Sequence, residues 1–204
     1  MSLLHPIAQA SFAIIDREIG PHPFDPPGYA ILRRIIHSTA DFEFKHLLQI
    51  SPGAIAHMTE ALRSRIPIVT DVAMVSVGIQ TMVSRTFQNP IITALDDGSH
   101  TAPGQTRSAA GMIRAWQACP QALFVIGNAP TALLALCDRL QETAVPPAGV
   151  IGVPVGFVNV LESKAALARL PVPQIRVAGR KGGSPVAAAI VNALLALAYS
   201  EEPL

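Results

Sequence analysis

Histidine is the ordinary side chain that exchanges a proton near neutral pH. The sequence holds six: His5, His22, His37, His46, His57 and His100. His37 is set apart by its neighbours, with Arg33 and Arg34 four and three residues before it and Asp41 four after. On a helix these spacings bring charge and imidazole onto one face, where a carboxylate can orient the ring. His37 is therefore the candidate general acid or base. The same spacing also fits an ordinary half-exposed surface histidine. A second kind of chemistry is anion binding. Thr106-Arg107-Ser108, Gly127-Asn128-Ala129-Pro130-Thr131 and Gly179-Arg180-Lys181-Gly182-Gly183-Ser184-Pro185 each place small, polar or cationic residues where a helix opens. Free backbone N–H groups at such points accept a capping side chain or an anionic ligand. Capping by Asn128 or Thr131 and anion binding both fit the second segment. Three such loops at one sheet edge favour a shared anion-binding rim.

The segment Gly149 to Val158, rich in glycine and carrying Pro154, reads as an apolar wall that a flat ligand can approach closely at Gly152 and Gly156. Glu162-Ser163-Lys164 then opens a helix, its acid favourable to the helix dipole. Asp71, at the end of an apolar run, reads as a helix cap rather than a second acid–base group. Several chemistries have no signature here. The sequence lacks GxxxxGK[ST], GxGxxG after a strand, HExxH and GxSxG, and has no Cys/His cluster at metal spacing. No metal site is expected. Cys119 and Cys137 fall in apolar helical patterns and read as buried reduced thiols.

The elements that must position these residues alternate. Short apolar runs at Ile66–Thr70, Ile91–Leu95, Leu123–Ile126, Val150–Gly152 and Gln174–Ala178 read as strands. They are followed by helical patterns at Val72–Gly78, Thr106–Gln117, Pro130–Glu142, Leu161–Arg169 and Pro185–Tyr199. That alternation predicts an α/β fold with a doubly wound, mostly parallel sheet and helices on both faces. Its ligands belong beyond the carboxyl ends of the strands. Upstream, the rigid loop Pro21 to Gly28 precedes a helix over about Tyr29–Thr39, and Ser51-Pro52 reads as an N-cap opening a helix to about Arg65. The expected organisation is one α/β domain over residues 1–204 with a helical N-terminal segment over about 1–65. The last helix is apolar all round, which calls for burial within the fold or for a subunit interface.

Composition narrows the partners. Of 204 residues, 50% are hydrophobic and only 14% charged, which excludes disorder and a solvated coiled coil. Net charge is +1 without a basic run, so the footprint of nucleic-acid binding is missing. Twelve of the fifteen cations are arginine, the side chain that grips carboxylates bidentately. A bulky, partly apolar anion is the ligand this balance suits. No apolar stretch reaches the length of a membrane span and no signal peptide is read at the N-terminus, so a cytoplasmic protein is expected.

Taken together and in order, several segments carry a specific resemblance. They are Ser11 to Ile15, Arg34-Ile35-Ile36-His37-Ser38, Thr106 to Ala110, Ile126 to Leu133, Pro154 to Val158 with Glu162-Ser163-Lys164, and Gly179 to Ser184. The chain resembles the precorrin-8X methylmutase family of cobalamin biosynthesis, from about Ser11 to Leu194. The resemblance implies an isomerase that moves a methyl group from ring carbon 11 to ring carbon 12 of precorrin-8X or cobalt-precorrin-8. The product is hydrogenobyrinate or its cobalt form. It implies no cofactor, because the methyl never leaves the substrate, and a homodimer with its site near the subunit boundary. It implies that His37 is the catalytic acid. Ser11, Arg107, Ser108, Gly127, Asn128, Thr131, Gly152, Pro154, Gly156, Arg180, Gly183 and Ser184 are implied to bind the tetrapyrrole. Ala73 stands where the family pattern has glutamate, and Ala40 where glycine is common. A corrinoid carrier without catalysis would keep the anion-binding loops and have no use for His37.

Overall fold

The computed structural model describes residues 5–95 and 104–200; His100 lies outside them. In chain order the elements are α1 (Pro6–Glu18), α2 (Pro26–Thr39), α3 (Phe44–Leu47), β1 (Leu48–Ile50), α4 (Ala54–Arg63), β2 (Ile68–Thr70), α5 (Ala73–Arg85), β3 (Ile91–Thr93), α6 (Arg107–Ala118), β4 (Leu123–Ile126), α7 (Pro130–Glu142), β5 (Gly149–Gly152), α8 (Val160–Ala168), β6 (Gln174–Val177) and α9 (Ser184–Tyr199). The sheet runs β1-β6-β5-β4-β2-β3. Its last five strands are mutually parallel, and β1 closes one edge antiparallel to β6. The fold is the mostly parallel α/β sheet that strand–helix alternation predicts.

Residues of β2, β4 and β5 are buried along their whole length, as strands covered on both faces must be. Side chains alternate between two cores. Leu123, Val125, Ile151, Ile175 and Val177 face α2, α4, α5 and α9, whereas Val69, Phe124, Ile126 and Val150 face α6, α7 and α8. Helix α9 is wrapped by α2, α4 and α5 and lies on the sheet at β4 and β5, so its all-round apolarity is met within the chain. Among the described residues, no helix is long and apolar enough to cross a membrane.

Four local readings are corrected. The helix after β2 does not stop at Gly78 but runs to Arg85, because Val75, Ile79, Met82 and Val83 continue its buried stripe. Gly78 is retained inside it because a Cβ there would come within 2.8 Å of the Ala188 Cβ on α9. Ser51 does not cap α4. Its Oγ accepts from the Gln174 N–H, and Gly53, at φ 73°, precedes the helix instead. Helix α2 starts three residues earlier than expected, at Pro26, with the Asp25 carboxylate accepting from the Gly28 N–H. The last is β1, three residues long, which periodicity did not reveal.

The C-cap of α2 places Ala40 where glycine is favoured. Ala40 sits at φ 54°, ψ 27°, in the left-handed region, with its N–H donating to the Ile36 carbonyl. Glycine adopts that conformation without the Cβ clash that alanine suffers. Relief of the clash outweighs the greater freedom glycine has in the unfolded chain. Ala40→Gly is thus expected to stabilise the protein by roughly 0.5–1 kcal/mol, read as a higher urea midpoint at unchanged slope.

Candidate active site at the carboxyl ends of the strands

Because β2 to β6 are parallel, the loops holding Asp71, Arg107, Asn128, Gly156 and Arg180 all leave the same edge of the sheet. Along that edge they are spread out. β3 and β6 are four strand spacings apart, roughly 19 Å; Arg180 lies in the loop after β6, whereas Arg107 opens α6, whose Thr106 meets Thr131 beyond β4.

The three helix-opening loops satisfy their N–H groups in three ways. At α6 the Thr106 hydroxyl accepts from the Ala109 N–H, 3.2 Å, which is ordinary capping. The same hydroxyl lies 2.9 Å from that of Thr131, tying α6 to α7. Before α7, the anion that the loop receives is internal. The fully buried Asp71 carboxylate accepts from the N–H groups of Gly127, Asn128 and Ala129 at 3.0, 2.8 and 2.7 Å. This corrects two expectations. Asp71 caps no residue of its own helix, and Gly127 and Asn128 do not offer those N–H groups to a ligand. Burial pushes the Asp71 carboxyl up, against the opposing pull of the three amides. At α9 no side chain caps the N-terminus, which opens on Gly183 at φ 114°. In this loop no side chain accepts from the N–H groups, whereas Asp71 takes those of the turn before α7.

The α9 loop is braced from two sides. Buried Lys164 donates from Nζ to the carbonyls of Gly179 and Lys181, at 2.8 and 2.7 Å, and burial lowers its ammonium to about 8. Lys181 reaches across to Asp41 and Glu43, at 2.5 and 2.6 Å. Asp41 therefore bonds to this lysine instead of orienting His37. The loop packs backbone to backbone on the wall. Gly183 N–H donates to the Val153 carbonyl, and a Cβ on Gly182 would lie 2.2 Å from that same oxygen. Of the wall residues, Pro154 is buried and Gly156 half-buried, while Phe157 is 85% exposed with the Arg180 guanidinium 5.9 Å from its ring centre. Gly152 is buried at the end of β5. Its missing Cβ makes room for Leu167 and Leu133 in the core.

His37 stands in the last turn of α2, its ring edge-on to Phe12 of α1 with centroids 5.2 Å apart. It lines a cleft of about 340 Å³ with Phe12, Arg34, Gly78, Pro185 and Asn192. The cleft thus joins α1, α2, α5 and the open start of α9. Burial and the Arg34 charge hold the His37 imidazole below its ordinary 6.5. Asn192 donates to the Gly78 carbonyl while its buried Oδ1 has no partner. Ser11 is next to Phe12 in the chain, but its hydroxyl is turned onto the Ile7 carbonyl, 3.0 Å. The structure therefore groups His37 with the α9 loop, and joins the start of α6, with Arg107 and Ser108, to Thr131 at the start of α7. Sequence reasoning missed Asn192, although it is the one polar residue within the apolar run of α9. A larger groove of about 1240 Å³ runs along β1 and the start of α4 and contains none of the expected residues.

A mostly parallel α/β sheet with a histidine in a cleft among its covering helices, two of which start from its carboxyl edge, is the construction of an α/β enzyme. The chain belongs to the precorrin-8X methylmutase family, whose pattern it matches over residues 6–197. It is 55% identical to a cobalt-precorrin-8 methylmutase of Synechocystis sp., with 98% of each chain covered. It is 38% identical to a precorrin-8X methylmutase of Pseudomonas aeruginosa, over 92% of this chain and 93% of that one. A crystal structure of precorrin-8X methylmutase from Thermus thermophilus superposes with a TM-score of 0.87 at 41% identity, covering 95% of both chains.

The Asp71 cradle is testable. Asp71→Asn turns an NH2 group toward backbone N–H donors and removes the charge from bonds that are otherwise charge-assisted. The variant is expected to lose about 1–3 kcal/mol of stability, measured by urea denaturation; a midpoint equal to wild type would show that the amides need no carboxylate.

Proposed function

We propose that this chain catalyses the shift of a methyl group from ring carbon 11 to ring carbon 12 of cobalt-precorrin-8 or precorrin-8X, giving cobyrinate or hydrogenobyrinate. Family membership carries the reading, and the Synechocystis relative favours the cobalt-containing substrate. The methyl stays on the macrocycle, so no donor enters the balance. His37 acts as general acid: a proton delivered to the conjugated ring system makes it electron-poor and eases migration, and the ring returns a proton to His37 once the methyl has moved, so that product and substrate are isomers. The open start of α9, with Gly183, Ser184 and Arg180, takes one set of peripheral carboxylates. Arg107 with Ser108 and Thr131 takes others across the rim. The wall from Pro154 to Phe157 lies against the ring, with Ser11 at its border.

The chain works as one domain, in the cytoplasm, and as a homodimer. The His37 cleft accommodates the edge of a macrocycle rather than the whole. Ile7 and Val77, 71% and 69% exposed, adjoin cleft-lining residues, and Phe157 stands out from the wall. A second subunit over these apolar residues would complete the enclosure.

Absorbance spectroscopy with the tetrapyrrole substrate tests this. Wild type is expected to convert substrate over multiple turnovers when product is removed, whereas a carrier would give only a stoichiometric change on binding. His37→Ala is expected to lose conversion while retaining product binding. Wild-type turnover in that variant would remove His37 from the mechanism. Because the acid must be protonated and its affinity for protons is lowered, kcat/KM is expected to fall as pH rises, with a midpoint below 6.5. Sedimentation at micromolar concentration is expected to give twice the chain mass.

A further inference from the structure

Two adjacent arginines of α2 have opposite circumstances. Arg33 is fully engaged: it pairs with Asp16 at 3.2 Å, and its guanidinium lies 4.6 Å from the Phe12 ring centre and 5.7 Å from that of Tyr29. Tyr29 in turn donates to Asp16. Arg34 is half-buried and makes no hydrogen bond or ion pair among the described residues, yet it lines the His37 cleft. A desolvated guanidinium without an anion is costly, and folded proteins seldom leave one so. No acidic side chain lines that cleft to answer it. Three carboxylates of α1 and the segment after α2 are committed elsewhere: Asp16 to Arg33 and Tyr29, Asp41 and Glu43 to Lys181. The faces that α1, α5 and α9 turn to the cleft are Ala8, Phe12, Gly78, Pro185, Ala188, Ala189 and Asn192, none of them ionisable.

We propose that the Arg34 guanidinium receives a peripheral carboxylate of the tetrapyrrole inside the His37 cleft, and that this docking arms the acid. The inference rests on the reading of the cleft as the substrate site. Its physical content is charge compensation. In the free protein, Arg34 one turn away opposes a second positive charge on His37. A carboxylate docked on Arg34 cancels that opposition, and the imidazole takes up a proton from solvent as the substrate settles. Arg34 is thereby a binding residue and, toward His37, a positioning residue for charge. An acid kept neutral in the empty site and protonated in the occupied one ties proton delivery to the presence of substrate.

The test compares wild type with Arg34→Met and Arg34→Lys, using the product corrinoid as binding probe and NMR of the His37 imidazole as a function of pH. Arg34→Met removes an unanswered charge and keeps the unbranched stem of the side chain, so its melting temperature without ligand is expected to equal or exceed that of wild type. Its affinity for product is expected to fall at least tenfold. In wild type the His37 titration midpoint should rise when product binds. In Arg34→Met the free midpoint should already be displaced toward 6.5, with little further rise on binding. Arg34→Lys should restore part of the affinity and of the rise. Product affinity within twofold of wild type in Arg34→Met, with the wild-type rise on binding intact, would overturn the proposal. If Arg34→Met unfolds, Arg34→Lys and Arg34→Gln carry the same comparison. Failure of the general-acid reading is seen separately, as turnover by His37→Ala.

Discussion

A parallel sheet covered on both faces sends every strand-to-helix loop to one edge, and each loop arrives with backbone N–H groups that need acceptors. How those groups are satisfied decides where a ligand can bind. At the centre of the edge the protein supplies its own anion, and Asp71 locks the turn before α7 onto the end of β2. At the β3 side Thr106 caps α6. The turn into α9 has no side chain accepting from its N–H groups, and that turn is the one held by two lysines. Rigid support and an open helix end therefore coincide beside His37.

The two lysines work in different media. Lys164 is 5% exposed and spends its ammonium on backbone carbonyls, a role that needs a donor more than a charge. Lys181 is 42% exposed and neutralises Asp41 and Glu43 just past the C-terminus of α2. It keeps two carboxylates from approaching the histidine end of that helix uncompensated. Arg34 is left as the near charge that His37 feels.

The layered fold was legible in the sequence because buried parallel strands read as short apolar runs, and Leu123–Ile126 and Pro130–Glu142 match their observed limits. The strand β1 was not legible: three residues carry too little alternation to be told from loop. Of the site, His37 was legible from its charged neighbours and the glycine-rich turns from their composition. The partners were not. Asp71 stands 56 residues before Gly127, and Lys181 stands 140 residues after Asp41; only the folded sheet brings them together. The same limit hid the packing at Gly152, whose missing side chain makes room for Leu167 of α8.

Both borders of the sheet are very short. Among the described residues β1 on one side and β3 on the other contribute three residues each, as does inner β2, against four in each of β4, β5 and β6. A strand border that brief, antiparallel on one side and parallel on the other, offers few unpaired backbone groups on which a foreign strand could build. A chain half apolar by composition thus carries its long hydrophobic segments in helices and inner strands, and closes its sheet where intermolecular growth would begin. Such a border favours association through side-chain surfaces, where apolar residues are exposed, over association by sheet extension.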